Sequence, residues 1–178
     1  APVIAKIARD MGILTVAIVT TPFSFEGRRK LRQAEEGIRK LKENVDSILV
    51  ISNDKITEVF GNLSKSEAFG KANDVLSTAA KSISEIITVH GDINVDFADV
   101  EYVMKDSGVA IMGSARAEGE DRARNAIMAA MNSPLLDDNQ ITGAQSILIN
   151  ISSSKEHQVT IDEINAIHDI ALDAAGSD

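Results

Sequence analysis

Between Glu67 and His90 the apolar residues Phe69, Ala72, Leu76, Ala79, Ile83 and Ile86 recur at helical spacing. A helix of about two dozen residues is roughly 35 Å long at ~1.5 Å per residue. An element of that length crosses a whole domain, so the rest of the chain must pack along it or be joined through it. Gly91 stops the pattern. Where a bland turn is expected, His90-Gly91-Asp92-Ile93-Asn94-Val95-Asp96 instead brings a cluster of carboxylates, and a second helix opens with Phe97-Ala98-Asp99. This divides the chain into residues 1–66, a connecting helix over 67–90, and residues 91–178.

Both flanking parts alternate strand and helix. Ile13 to Thr20 is a continuous apolar and β-branched run, as in a strand buried on both faces of a parallel sheet. Thr21-Pro22 ends it, and the loop Phe23-Ser24-Phe25-Glu26-Gly27 leads to a helix over about 28–44. Asp46 to Ile51 is the next buried strand, Asn53 to Phe60 a short helix, and Gly61 to Ser66 a break. Beyond the acidic turn, the pattern predicts strands over 108–115 and 146–152 and helices over 120–131 and 160–172, with Ser133-Pro134 and Asp137-Asp138-Asn139 in a loop. Such alternation is the mark of right-handed crossovers in an α/β layer. At the ends, Ala1-Pro2-Val3 enters directly into a helical pattern with no initiator Met, and Gly176-Ser177-Asp178 closes the last helix. An internal piece of a longer protein is the expectation.

Composition narrows the function classes. A formal charge of −9 argues against nucleic acid as the main partner, because phosphate binding is driven by Lys and Arg. No apolar run approaches the ~20 residues of a membrane span, and no basic-then-apolar leader opens the sequence, which makes the cytoplasm the default. With no Cys there are no disulfides or thiolate metal ligands, and three His make a zinc site improbable; no metal site is expected.

Asp96 and Asp99 stand at i and i+3 and share one face of a first helical turn. One reading is capping, with Asp96 as N-cap, Asp99 at the third helical position and Val95 packing on Val100. The other is that Asn94, Asp96 and Asp99 together position a water or a metal, a carboxylate being able to accept a proton or orient a nucleophile. Capping does not exclude it. A calcium loop starting at Asp92 fails, since its sixth and twelfth positions hold Phe97 and Val103 in place of Gly and Glu. Glu26-Gly27, followed by Arg28, Arg29 and Lys30, falls where open α/β sheets bind ligands. The basic run itself fits a solvated helix face, with pairs such as Glu35 and Arg39. Asn53-Asp54, Phe69 and Asn73-Asp74 form a looser set: an aromatic ring can stack on a base, and a carboxylate can accept from a guanine edge. Phe69 is otherwise core.

Taken together, Asn94-Val95-Asp96-Phe97-Ala98-Asp99-Val100, Ala68-Phe69-Gly70-x-Ala72-Asn73-Asp74-Val75-Leu76, Pro22-Phe23-x-Phe25-Glu26-Gly27-Arg28, Asn53-Asp54-Lys55, Met112-Gly113-Ser114, Gly119-Glu120-Asp121-Arg122-Ala123 and Ser133-Pro134-Leu135-Leu136 resemble the FtsZ branch of the tubulin-like GTPases. Tubulin proper is less similar at the acidic turn, where its catalytic group is a Glu. The resemblance implies an α/β fold: the second half of a Rossmann-like parallel-sheet GTPase domain, a long central helix and part of an α+β C-terminal domain, to which Met112 to Ser114 belong. It implies GTP or GDP as ligand, with Mg2+ in the parent protein. Glu26 then binds the ribose, Asn53 and Asp74 bind the guanine, and Phe69 stacks on the base. The family's phosphate-contacting Arg is Lys30 here, with Arg29 beside it, and Lys offers a point charge in place of a bidentate fork.

Asn94, Asp96 and Asp99 become the synergy loop, which orients the water attacking the γ-phosphate held by the next subunit. Partners are further copies in head-to-tail protofilaments and other division proteins, in the cytoplasm at mid-cell, without nucleic acid or membrane insertion. The family's glycine-rich phosphate loop, Gly-Gly-Gly-Thr-Gly-Thr-Gly, does not occur in these residues. The isolated chain is therefore expected to bind GTP weakly and to be inactive alone; the alternative is a non-catalytic piece that caps filaments of intact subunits.

Overall fold

The computed structural model describes residues 1–88, 96–133 and 143–176. Helix α1 (Pro2–Asp10) opens on a proline, whose missing N–H is one of the first-turn donors no helical carbonyl could meet. Strand β1 (Val16–Thr21), helix α2 (Arg28–Lys42) and strand β2 (Ser47–Ser52) follow, the strands pairing parallel from Val16 opposite Ser47 to Thr21 opposite Ser52. A parallel pair needs a crossover, and α2 supplies it.

Successive strand side chains point to opposite faces, which explains the unbroken apolar runs. On one face Ile48, with Ala17, Val19 and Val50, packs with Ala5 of α1 and with Ile38, Leu41 and Val45 of the crossover. On the other, Leu49, Ile51 and Ile18 meet Val75, Leu76 and Ala79 of the long helix α4 (Lys65–Thr88). That helix starts two residues before the expected Glu67, while the expected end at His90 lies in residues 89–95, which fall outside the described residues. Between β2 and α4 runs helix α3 (Asn53–Phe60), ended by Gly61 at φ +76°. A reciprocal cap starts α4: the Ser64 N–H donates to Glu67 Oε2 at 2.8 Å and the Glu67 N–H to Ser64 Oγ at 3.4 Å.

Helix α5 (Phe97–Met104) leads to β3 (Gly108–Ala110), which pairs parallel with β2, Gly108 opposite Ser47, so the sheet order is β1-β2-β3. The strand expected over 108–115 therefore shrinks to three residues and extends the first sheet across the expected boundary near Gly91. The physical reason lies just beyond it. Met112 is drawn into the Leu49–Ile51–Ala79 cluster, and at Gly113 the backbone passes so near helix α6 (Arg122–Met131) that a Cβ would stand 2.0 Å from the Ala130 carbonyl oxygen. The strand expected over 146–152 does not form either. A strand exists only by pairing, and among the described residues that segment has no ladder partner; the nearby pairing is a lone bridge of Ser154 with His157.

Helix α7 (Ile161–Ala175) packs on α6 and buries Ile167, Ala171 and Ala175. Thr160 caps it, its Oγ1 accepting the Glu163 N–H at 3.3 Å while Glu163 Oε2 accepts the Thr160 N–H at 2.8 Å. Arg122 joins the two helices: its Nε and Nη2 donate to Glu163 at 2.6 and 2.9 Å, and Nη1 and Nη2 to the His157 and Gln158 carbonyls at 2.9 Å each. The Arg122 hydrogen bond, helped by the Thr160 N–H, holds the Glu163 carboxyl down at about 2. A depressed folded-state value gives stability that is present above the ordinary value of 4.5 and lost as pH falls through about 2. The melting temperatures of wild type and Glu163→Gln are thus expected to differ most near neutral pH and to converge between 4.5 and 2. A difference that persisted unchanged into that acid range would contradict the assignment. Among the described residues no helix is long and apolar enough to cross a membrane.

Candidate functional site

The candidate residues fall in two groups, one at the carboxyl edge of the sheet and one at the start of α5, the helix that leads into β3. At the carboxyl edge, β1 runs out into Pro22-Phe23 and a 3-10 turn (Ser24–Glu26), while β2 runs into α3 with Asn53 as its first residue. Glu26 is held from both sides, Oε1 accepting the Phe23 N–H at 3.1 Å and Oε2 accepting from Lys30 Nζ at 2.8 Å. The Lys30 hydrogen bond, opposed by partial burial and helped by the Phe23 N–H and the charge of Lys65, holds its carboxyl below the usual carboxylate range. Lys30 is thereby placed as the i+4 partner of Glu26 on an otherwise exposed first turn of α2. Further along that face the solvated pairing expected from sequence takes the form of Glu36 with Lys40 at 2.7 Å.

Asn53 is buried, and its Oδ1 has no hydrogen-bond partner. A buried acceptor left unpaired costs about 1–3 kcal/mol, so an arriving donor would gain what the fold leaves unmet. Asn53→Ala is accordingly expected to leave stability to urea within about 1 kcal/mol of wild type, the lost packing offset by the removed acceptor. A loss well beyond that would show Asn53 to be structural.

Phe69 is half-buried and belongs to an aromatic cluster. It meets Phe23 edge-on at 5.1 Å and Phe25 at 6.3 Å between ring centroids, while Phe23 and Phe25 stack at 5.0 Å. Its ring thus does the core service that the sequence allowed. Beside the cluster opens a cleft of about 340 Å³ lined by Phe25, Thr57, Gly61, Leu63, Lys65 and Ala68; neither Glu26 nor Asn53 lines it. Asp74 lies further along α4, exposed, with Lys71 Nζ at 4.0 Å. Sequence reasoning left Asp54 in a loose set, yet it is the clasp of this edge: its Oδ1 accepts the Ser24 N–H at 2.9 Å and its Oδ2 bonds the Ser24 hydroxyl. The partner is thirty residues away, beyond any local signal.

The second group stands at the start of α5. Helix α4 starts beside Phe23, through Phe69, and at roughly 36 Å is longer than the ~20 Å of β2 along which it packs. Beyond α5 the chain joins the sheet at its amino edge, where the Gly108 N–H donates to the Asp46 carbonyl at 3.0 Å. Asp96 and Asp99 are both exposed in the first turn of α5, and Asp99 Oδ2 accepts the Asp96 N–H at 3.1 Å. Asp96 is thus the N-cap and Asp99 the third residue of α5, as the capping reading expects, and both carboxylates face solvent. Val100 is buried; Asn94 and Val95 lie outside the described residues.

The model of the tubulin/FtsZ family GTPase domain matches residues 1–61, and that of the FtsZ family C-terminal domain matches residues 108–177. The chain belongs to the tubulin/FtsZ family. The cell division protein FtsZ of Wigglesworthia glossinidia brevipalpis is 49% identical over 168 residues, 94% of this chain and 43% of that protein. FtsZ of Azotobacter vinelandii is 52% identical over 157 residues, 88% of this chain and 40% of that protein. An empty FtsZ dimer from M. jannaschii superposes with a TM-score of 0.80 at 36% identity, over 96% of this chain and 49% of that one. The chain thus spans less than half the length of the curated FtsZ relatives it matches. The FtsZ fold accounts for the parallel sheet with helices on both faces, the α/β class read from the sequence.

Proposed function

We propose that this chain is part of a tubulin-like GTPase of the division ring, contributing the base and ribose side of one nucleotide site and the acidic turn that acts on the next. The observation that carries this is the separation just described. Glu26 and Asn53, suited to a guanine nucleoside, follow the carboxyl ends of β1 and β2, whereas Asp96 and Asp99 open α5, the helix that leads into β3 at the amino edge; this supports a reading in which the two groups serve different nucleotides. A surface that meets a different surface of the next copy makes an open, head-to-tail assembly.

At the carboxyl edge, Asn53 Oδ1 accepts from a guanine N–H, and Asp74 contributes a second acceptor if the base reaches along α4. Glu26 keeps lone pairs for ribose hydroxyls beyond those used by Phe23 and Lys30, since a carboxylate offers about four acceptor positions. The Phe69 ring lies under the base. Lys30 supplies positive charge toward the phosphates. Among the described residues no group of three His, Asp or Glu is arranged to hold a metal; Mg2+, where it takes part, travels with the phosphates.

In this reading Asp96 and Asp99, with Asn94, orient a water for in-line attack on a γ-phosphate presented by another subunit, and an ionised carboxylate accepts its proton. The chain alone binds GTP weakly and does not turn it over. In the test, the chain is added to Azotobacter vinelandii FtsZ and GTP, with that FtsZ held below its assembly concentration, and single-turnover hydrolysis is followed. The rate is expected to rise and saturate with added chain. A rate indifferent to the chain, or turnover by the chain alone, would sink the proposal.

A further inference from the structure

Helix α5 carries the acidic turn on slender support. Of its eight residues Val100 is the buried one, while Phe97 and Tyr102 are 47% and 85% exposed. A short helix pinned by one side chain can pivot about it, so its direction is set by how it ends. Asp106 ends the segment at φ +53°, and two residues later Gly108 joins the sheet.

A guanidinium spans this corner. Arg9, in the last turn of α1, pairs through Nη2 with Asp106 Oδ1, approaches Asp46 Oδ1 with Nε at 3.5 Å and donates from Nη1 to the Glu43 carbonyl at 3.4 Å. Asp46 is itself fixed. Its side chain is 7% exposed, its Oδ2 accepts the Thr15 N–H at 2.8 Å, its own N–H donates to the Thr15 carbonyl at 2.8 Å, and its carbonyl takes the Gly108 N–H. Lys105, the neighbouring cation, is engaged by Glu101 at 3.0 Å. The planar fork of an Arg holds several acceptors in one fixed geometry, which a Lys ammonium does not. The corner thus transmits the rigidity of the sheet's amino edge to the root of α5.

We infer that Arg9 is a positioning residue for the acidic turn, holding α5 in its working direction through Asp106. This rests on the hydrolytic reading of Asp96 and Asp99. Arg9 touches no substrate; it acts one helix length away, and a misplacement of about 1 Å suffices to slow a reaction by up to about 100-fold.

The test uses the same mixture of the full chain with Azotobacter vinelandii FtsZ and GTP, separating the maximal rate from the half-saturating chain concentration. Arg9→Ala is expected to lower the maximal rate about tenfold with little change in half-saturation. Arg9→Lys is expected to recover part of the loss. Asp106→Asn keeps a residue tolerant of positive φ while removing the charge, and is expected to match Arg9→Ala; should Arg9→Ala fail to fold, Asp106→Asn decides. Wild-type maximal rates in Asp106→Asn would overturn the inference, as would a change in half-saturation alone. If the wild-type chain has no effect, the reading of the acidic turn fails and takes this inference with it; if wild type acts and the variants act equally, only the positioning role fails.

Discussion

Asp99→Asn is expected to reduce the chain's stimulation of GTP hydrolysis on neighbouring FtsZ by about 10²-fold or more, the range over which a positioned acid or base acts. The choice of Asn separates the two readings of the turn. In the structure Asp99 accepts the Asp96 N–H, and the side-chain oxygen of Asn can accept it as well, so a residue that only caps α5 survives the change. A residue that must take a proton or hold a water by its charge does not. Asp99→Ala, which also removes the cap at about 1 kcal/mol, is expected to be as inactive as Asp99→Asn and slightly less stable. Single-turnover rates for wild type, Asp99→Asn and Asp99→Ala, with melting temperatures beside them, check this. Asp99→Asn at the wild-type rate would reduce the residue to a capping role.

The largest expected effect on stability lies at a glycine. Gly113→Ala places a Cβ against the Ala130 carbonyl oxygen at 2.0 Å, with the carbonyl carbon at 2.8 Å. Both neighbours are helix backbone, which cannot rotate aside as a side-chain tip can. Forcing atoms into a filled space costs about 1–3 kcal/mol and at times more, and here the strain falls where Met112 enters the Leu49–Ile51–Ala79 cluster. Urea denaturation is expected to show a loss above about 2 kcal/mol for Gly113→Ala and near none for Ser114→Ala, whose position is exposed. Equal stability of the two variants would mean that this segment and α6 do not pack so closely.

Much of the fold was legible because its signals are local. Ile48 to Ile51 form an unbroken apolar run because α1 and the crossover cover one face of β2 while α4 covers the other. The long helix announces itself by periodicity, and Thr160-x-x-Glu163 by its capping pattern. What failed was non-local. The run over 146–152 has the composition of a strand, and nothing in it states whether a partner lies alongside. The shortening of 108–115 depends on Met112 and Gly113 meeting α4 and α6, contacts between segments distant in sequence. The segments holding Glu26 and Asn53 stood out in the sequence, whereas the link that clasps them, Ser24 with Asp54, and the one at the opposite edge, Arg9 with Asp46 and Asp106, join residues 30 or more positions apart. Charged residues on solvated helices carry no mark of which of them will be chosen.

The most direct measurement concerns where the acidic turn works. The chain has no cysteine, so Ala98→Cys introduces a single thiol between Asp96 and Asp99, on an exposed turn. This variant is mixed with Azotobacter vinelandii FtsZ loaded with a GTP analogue bearing a thiol-reactive group on its γ-phosphate, and the labelled species are identified by mass spectrometry. The account predicts that the thiol is modified when loaded FtsZ is present and far more slowly with the free analogue, while a thiol placed by Ser24→Cys at the carboxyl edge is not preferentially modified. Labelling of Ala98→Cys at the same rate with and without FtsZ would contradict an acidic turn that reaches the nucleotide of a neighbouring subunit.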